Sequence, residues 1–198
     1  MKFELIVITP EHILKDEIKD VKRLFENHLD LLHLRKPGSS KAELKKYLQE
    51  IPKQFYKRIV LHSHYQLAKE FSLKGIHLTE KTKKSTNLIT QLKQKKIKII
   101  SASFHSVKDI FKSRRKYEYI FLSPLFDSIS KKGHKAKFIP EELKLILKKQ
   151  KVIALSGINS ENIRSVKQMG FAGAAALGFV WEKGDPLKNY KELYSKIK

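Results

Sequence analysis

Short apolar runs alternate with amphipathic stretches along the whole chain. Eight of these runs have the length and apolar character of β-strands, at 5–9, 31–35, 58–62, 75–79, 97–103, 119–123, 151–156 and 172–178. They are apolar nearly throughout rather than at every second position, which is typical of parallel strands buried on both faces. The pattern therefore predicts eight buried parallel strands.

Helical patterns separate most of these runs. In "EIKDVKRLFENHL", for example, the apolar residues Ile18, Val21, Leu24, Phe25 and Leu29 share one stripe. Strands that alternate with helices form βα units, and eight such units predict a closed (β/α)₈ TIM barrel. The prediction is a minimal barrel forming one domain over residues 1–198. A doubly wound open sheet is the structural alternative, although no G-x-G-x-x-G follows the first run.

Nearly every predicted strand ends in polar or small residues. These ends are Thr9, Arg35, His62 to His64, His77, Thr79, Ser101, Ser103, Ser123, Ser156, Gly157 and Gly178. In a barrel the carboxyl ends of all strands meet at one face, and that face carries the active site. The pattern therefore predicts a polar pocket and favours an enzyme.

The amino-acid composition indicates which classes of protein the chain could belong to. The formal net charge is +22, with 36 Lys but only 6 Arg, and the lysines are spread through nearly every polar segment. Specific base recognition relies on Arg, so the pattern favours a solvated surface over specific nucleic-acid binding. No apolar run approaches the roughly 18 residues of a membrane span, and none suits a signal peptide. We expect a cytoplasmic protein that does not bind membranes.

Two glycine-containing strand ends suggest a phosphate site. "LSGINSENI" ends the seventh strand with Ser156 and Gly157, and "AALGFVW" ends the eighth with Leu177 and Gly178. In barrels these two loops commonly bind phosphate through backbone N–H groups. The alternative is that the glycines only relieve crowding at turns.

Two further residues and one loop carry groups suited to proton transfer or to binding an anion. His105 follows the fifth strand in "ISASFHSVKDI", where a neutral imidazole can take and return a proton, unless it only caps a helix. Arg35 ends the second strand with a guanidinium suited to a carboxylate or phosphate. The loop "SPLFDSISKKGHKAK", rich in Ser and Lys, could close over an anionic substrate or be merely solvated.

His62 and His64 stand two positions apart at the end of the third strand, so both should point the same way. Such a pair can bind zinc, and His77 or His105 could add a ligand. No acidic residue stands at any predicted strand end, however. We therefore expect no metal hydrolase and no resident metal.

Several motifs together resemble one known family. "LHLRKP", "IVLHSHYQLAKEFSLKGIHLTE", "SASFHSVKDI", "YIFLSPLFDSISK" and "VIALSGINSENIRSVKQMGFAGAAALG" are similar, in order and spacing, to the thiamine phosphate synthase/TenI superfamily. The resemblance implies a (β/α)₈ barrel that acts on phosphorylated precursors of thiamine. Synthases of that family join a thiazole phosphate to a pyrimidine with loss of diphosphate. TenI-type members instead aromatise a carboxythiazole phosphate by a proton shift.

The resemblance also implies roles for individual residues. Proton transfer falls on His105, and phosphate binding falls on the backbone of the two glycine loops, which gives Ser156, Gly157, Leu177 and Gly178. The lid pattern of the family becomes Ser128, Ser130 and Lys131, while Arg35 matches its arginine, with Lys36 adjacent and Pro37 in place of a lysine. The expected substrate-binding residues are Arg35, Lys36, His62, His64, Ser103, Ser128, Ser130 and Lys131.

Departures from the family favour one of its two activities. Two aspartates that help synthases hold magnesium fall on Ser63, beside His62, and on Thr82. Because Mg²⁺ prefers carboxylate oxygens, the sequence predicts a TenI-like thiazole phosphate tautomerase without a cofactor. The alternatives are a thiamine phosphate synthase with an altered diphosphate site, which would need Mg²⁺, and a non-catalytic phosphate-ligand binding protein. A phosphorylated thiazole is the expected small-molecule partner, and the resemblance implies a homodimer.

Overall fold

Eight parallel strands close into a barrel in the computed structural model, which describes residues 2–126 and 140–198. The strands are β1 (Glu4–Ile8), β2 (Leu31–Leu34), β3 (Ile59–Leu61), β4 (Gly75–Leu78), β5 (Ile99–Phe104), β6 (Tyr119–Leu122), β7 (Val152–Leu155) and β8 (Gly173–Ala176). Each strand pairs with its neighbours in chain order, and β8 returns to pair with β1. The predicted (β/α)₈ barrel is confirmed, and the open-sheet alternative is wrong.

Helices follow the strands and surround the barrel. They are α1 (Glu17–Glu26), α2 (Lys41–Gln49), α3 (Gln66–Glu70), α4 (Thr86–Gln94), α5 (Val107–Lys112), α6 (Pro140–Lys149), α7 (Ile163–Gln168), α8 (Gly178–Trp181) and α9 (Pro186–Ser195). Short 3-10 turns at Lys53–Arg58 and Thr82–Lys84 precede β3 and α4. Within the two described segments, no helix combines the length and the apolarity needed to cross a bilayer.

Two apolar layers explain why the strands are apolar throughout. The side chains of the first layer fill the inside of the barrel. They are Ile6, Ile8, Leu31, Val60, Ile100, Tyr119, Phe121, Ile153 and Ala175. The residues between them, such as Leu5 and Val7 of β1, pack outward in the cluster shared with the helices. Because successive side chains of a strand point to opposite faces, a strand covered on both sides needs apolar residues at every position.

A β-bulge interrupts this alternation where the barrel becomes polar. Ile76 of β4 pairs with Ile99 of β5, but the next residue, His77, pairs with Ser101. The skipped residue, Ile100, still packs inside the barrel. The extra residue lets Ser101 face inward as well, where it hydrogen-bonds to His77. Bulges often turn side chains in this way next to active sites.

A substitution at Gly173 tests whether the stability of the barrel depends on the close packing of β8 against β1. Gly173 pairs with Glu4 of β1, and a Cβ at this position would overlap the carbonyl oxygen of Glu4. We expect Gly173→Ala to lower the free energy of unfolding by about 1–3 kcal/mol or more, as overpacking does, when measured by urea denaturation. Gly38→Ala is the matched control, because nothing lies within 4 Å of the added methyl group. Equal effects of the two substitutions would contradict the steric explanation.

Candidate active site

Two hydrogen-bonded groups of aromatic and hydroxyl side chains touch inside the barrel and together form a network, which extends from Tyr119 at the start of β6 to His62 just beyond β3. Its members are His33, His62, His77, Ser101, Ser103 and Tyr119. His33 Nδ1 lies 2.8 Å from His62 Nε2, and His33 Nε2 lies 2.6 Å from the Tyr119 hydroxyl. His77 contacts the Ser101 and Ser103 hydroxyls, each at 2.8 Å. The barrel interior therefore contains two hydrogen-bonded sets of neutral groups, which meet where the rings of His62 and His77 stack.

The three histidines of this network are uncharged at neutral pH. Burial, together with the nearby positive charges of Lys83 and Arg35, lowers the pKa of His77 to about 3. Burial also holds the pKa of His33 and of His62 well below the ordinary value, and the neighbouring histidines add to this. Each ring consequently has one N–H donor and one lone pair, which suits recognition of a neutral heterocycle.

Four members of the network were not among the predicted site residues: His33, His77, Ser101 and Tyr119. The sequence predicted His77 and Ser101 as polar strand ends, whereas His33 lies within β2 in "LLHL" and Tyr119 begins β6 in "YIFL". The available signal was a single polar group in an otherwise apolar strand, since such a group must find a partner when buried. His62 and Ser103, which were predicted, do belong to the network. Their contact with substrate stays a prediction.

His105 lies just beyond β5, and its ring is exposed at the mouth. The next residue, Ser106, accepts a hydrogen bond from Asp109 N and so caps α5, which fixes this turn. His105 Nδ1 lies 3.0 Å from the Ser123 carbonyl oxygen. The Ser123 hydroxyl lies 3.2 Å from the same nitrogen. Because a carbonyl can only accept, the contact with it favours the tautomer that has its proton on Nδ1 and a lone pair on Nε2. Among the described residues, none is hydrogen-bonded to Nε2. This arrangement suits proton transfer, although that role stays a prediction.

His64 does not join His62, contrary to the expectation that both point the same way. β3 ends at Leu61, and the chain then bends, with a left-handed φ of 47° at His64. His64 Nε2 hydrogen-bonds to the Ser39 carbonyl at 2.8 Å, and its ring lines a separate cavity beside α4. The alternation of a strand no longer applies once the strand has ended. The proposed substrate contact of His64 therefore loses its geometric basis.

Lys36 is buried instead of facing the pocket, which contradicts its expected role. Its ammonium donates to Glu17 Oε2 at 2.7 Å and to the carbonyls of Pro10 and His12. The Tyr47 hydroxyl donates to the second Glu17 oxygen at 2.8 Å, and both charged side chains have 0% exposure. Lys36 thus links the loops after β1 and β2 to α1, outside the mouth.

Arg35 remains in the position that the sequence predicted. Its side chain is partly exposed and forms an ion pair with Glu11 at 2.7 Å. Its charge lowers the pKa of both His62 and His77, so the guanidinium lies near the network. Arg35 is therefore suitably placed for an anionic group at the mouth, while contact with substrate stays a prediction.

The loops after β7 and β8 have free backbone donors. Ser156 and Gly157 have left-handed φ values of 85° and 67°, and Asn162 donates to the Gly157 carbonyl at 2.7 Å. In the described part of the chain, the N–H groups of Gly157, Ile158, Gly178 and Phe179 have no hydrogen-bond partner. Unsatisfied donors in two adjacent loops suit an anion. Phosphate binding by Ser156, Gly157, Leu177 and Gly178 stays a prediction.

Magnesium does not fit the groups that occupy the family's carboxylate positions. Thr82 Oγ1 lies 3.0 Å from Thr79 Oγ1, and the Ser63 hydroxyl is buried with no partner among the described residues. Glu80 is paired with Lys83 and Lys84. Mg²⁺ requires oxygen ligands and prefers carboxylates, and the described residues provide no such set here. The predicted lid residues Ser128, Ser130 and Lys131 lie outside the described residues.

Comparisons with known proteins agree on one family. Residues 5–179 match the family model described as thiamine monophosphate synthase. The thiamine-phosphate synthase of Clostridium tetani is 25% identical over 96% of this chain and 93% of its own length. A crystal structure of thiamine phosphate pyrophosphorylase from Bacteroides thetaiotaomicron is 32% identical, with a TM-score of 0.81 over 98% of this chain and 97% of that chain. The corresponding protein of Pyrococcus furiosus, 21% identical with a TM-score of 0.79 over 98% and 95%, shows the fold alone.

Arg35 and Lys36 are neighbours of equal charge, so they form a matched pair of variants. We expect Lys36→Met to lower the free energy of unfolding by about 3–5 kcal/mol, because it leaves the buried Glu17 carboxylate without its cation. Arg35→Met should change it by at most about 1 kcal/mol, because the Arg35–Glu11 pair is partly exposed. Urea denaturation of both variants measures the difference. A larger loss for Arg35→Met would reverse these assignments.

Proposed function

We propose that this chain, an enzyme that belongs to the thiamine monophosphate synthase family, binds a phosphorylated thiazole at the barrel mouth and joins it to a pyrimidine. One observation carries the proposal. The family match runs from residue 5 to residue 179, so it includes every strand and both glycine loops. The names of the relatives favour this synthase reaction over the tautomerase that the sequence analysis preferred.

The free donors after β7 and β8 support phosphate binding. Backbone N–H groups bind a phosphate without needing a charged side chain, and two loops can surround its oxygens. Gly157 suits the first loop because its left-handed φ of 67° is disfavoured for residues with a Cβ. In this proposal the phosphate fixes one end of the thiazole and the network of neutral imidazoles contacts the rings.

Arg35 supports the binding of the second, diphosphate-bearing substrate. Coupling requires the diphosphate to leave with its electron pair, and a nearby guanidinium stabilises that negative charge as it develops. No described residue supplies a carboxylate where the family holds magnesium. The proposed synthase would therefore depend more on Arg35 than its relatives do, and Arg35 would bind and orient the diphosphate rather than exchange a proton.

Aromatisation of a carboxythiazole phosphate is the second candidate, because one specific observation favours it. The Ser123 carbonyl, 3.0 Å from His105 Nδ1, favours the tautomer with its proton on Nδ1, which leaves a lone pair on Nε2 for the substrate. A tautomerase must remove a proton from one ring atom and return one to another, and it releases no diphosphate. A group with this geometry can perform both transfers.

A paired assay distinguishes the two reactions. Thiamine phosphate formation is measured with thiazole phosphate, pyrimidine diphosphate and Mg²⁺, and aromatisation is measured with carboxythiazole phosphate alone. For the synthase we expect thiamine phosphate from the wild type, a raised KM for the diphosphate in Arg35→Met, and little change in His105→Ala. For the tautomerase we expect aromatisation that falls by about 10²–10⁴-fold in His105→Ala.

Lys108→Ala is the control for His105→Ala, since this exposed residue lies on α5 directly after the same turn. It should leave either activity unchanged. If neither product forms while thiazole phosphate binds in calorimetry, both enzymatic candidates are wrong and the chain is a non-catalytic binding protein. The identity of the thiazole and the expected homodimer stay predictions.

A further inference from the structure

We infer that His33, His62 and His77 form a binding site for one divalent transition-metal ion of the Zn²⁺ type inside the barrel mouth. One nitrogen atom from each ring lies within 4.8 Å of the other two. The inference departs from the sequence-based expectation of no metal. It does not rest on the proposed function, because it concerns only the affinity of these side chains for a cation.

The contact between His33 and His62 already has nearly the required geometry. Their facing nitrogens, Nδ1 and Nε2, are 2.8 Å apart and share one proton. Two ligands on a tetrahedral Zn²⁺ with bonds of about 2.0–2.1 Å lie roughly 3.3 Å apart. An opening of about half an ångström, with the His62 proton moved to its other nitrogen, would let both lone pairs face one ion.

Tyr119 holds His33 in the orientation that ligation needs. Its hydroxyl lies 2.6 Å from Nε2, the nitrogen that points away from His62. Histidines that bind metals usually have their second nitrogen fixed by such a hydrogen bond, which sets the tautomer and the ring plane. Tyr119 is itself buried in the barrel core, so this support is rigid.

His77 supplies the third ligand after two local changes, the release of one serine hydroxyl and the turn of one ring. Each of its nitrogens contacts a serine hydroxyl, so it can release one serine and keep the other as its orienting partner. The rings of His62 and His77 are stacked, with centroids 4.3 Å apart and planes 19° apart. Parallel rings cannot both aim at one ion, and one must turn. His62 is the partly exposed ring and lies beyond the end of β3, so it has the freedom to do so.

The type of ligand selects the type of ion. Imidazole nitrogens suit Zn²⁺, Co²⁺, Ni²⁺ and Cu²⁺, whereas Mg²⁺ and Ca²⁺ require oxygen ligands. The nearby cations Arg35 and Lys83 oppose a dication, but each is paired with a carboxylate, at 2.7 Å and 2.5 Å respectively.

Titration of the chelator-treated, untagged full chain with ZnCl₂ in a calorimeter tests the site. We expect one ion to bind tightly per chain, and we expect CoCl₂ to give the visible absorption bands of tetrahedral Co²⁺. Millimolar MgCl₂ should not compete. His62→Asn should weaken Zn²⁺ binding by at least tenfold. The matched control, His64→Asn, removes a histidine two positions away that faces Ser39 instead, and should leave the affinity unchanged.

A second variant separates ligation from damage to the fold. Tyr119→Phe keeps the aromatic ring and removes only the hydroxyl that orients His33, and we expect it to weaken Zn²⁺ binding by about 10–100-fold. Circular dichroism and urea denaturation establish that each variant is folded. The inference is overturned if the wild type binds no stoichiometric Zn²⁺, or if folded His62→Asn binds it as tightly as the wild type. The three histidines would then serve only as a hydrogen-bonded network.

Discussion

The close approach of β8 to β1 is the contact on which the rest of the structure depends. Glycine and alanine make up the whole of β8, and Gly173 allows the Glu4 carbonyl to lie where a Cβ would be. Closure gives every strand two neighbours, so no strand edge is left with unpaired backbone groups. It also brings all eight carboxyl ends to one face. The loops after β7 and β8 can lie beside the mouth of β2 and β3 only because the ring is complete.

Charged groups lie where the folded chain can supply several hydrogen-bond partners for each charge. The Lys36–Glu17 ion pair lies among the loops and helices around the barrel, where two carbonyls, the Tyr47 hydroxyl and the Leu14 N–H add further hydrogen bonds. Inside the barrel the polar groups are neutral imidazoles, hydroxyls and a phenol. A buried charge without several partners is far costlier than a buried neutral group that is hydrogen-bonded. The interior therefore combines apolar packing with polarity that carries no net charge.

The mouth of the barrel has two parts, which differ in how closely their residues follow the motifs of the family. The glycine loops and His105 lie on the β5 to β8 side, where the chain keeps the motifs of its family. After β3 and β4 lie Ser63 and Thr82, where the resemblance to the family implies two carboxylates that hold magnesium, and here hydroxyls stand at both positions with imidazoles beside them. A site that loses carboxylate ligands and lies beside imidazoles changes the type of ion that it favours. Variation within one scaffold is expected, because barrel enzymes differ mainly at the carboxyl ends of their strands.

The sequence by itself determined the barrel, the polar strand ends that meet at one of its faces, the two glycine loops and the positions of Arg35 and His105 just beyond β2 and β5. These follow from local rules: apolar runs covered on both sides, strand ends that must converge, and glycines where the backbone turns. A local rule, alternation along a strand, predicted that His64 points the same way as His62, and this was wrong. Alternation holds only while a strand continues, and β3 ends one residue before His62. The family resemblance placed Lys36 with Arg35 among the substrate-binding residues, whereas Lys36 is buried against Glu17.

Only the tertiary structure decided which polar groups meet. His33 and Tyr119 are 86 positions apart, and no spacing in the sequence relates them. The bulge between β4 and β5 brings Ser101 to His77, and it arises from the register of two strands rather than from either strand alone. Likewise, Lys36 is buried because Glu17, on another element, supplies the opposite charge. A side chain's partner is a property of the folded chain, since it depends on contacts between segments that are distant in sequence.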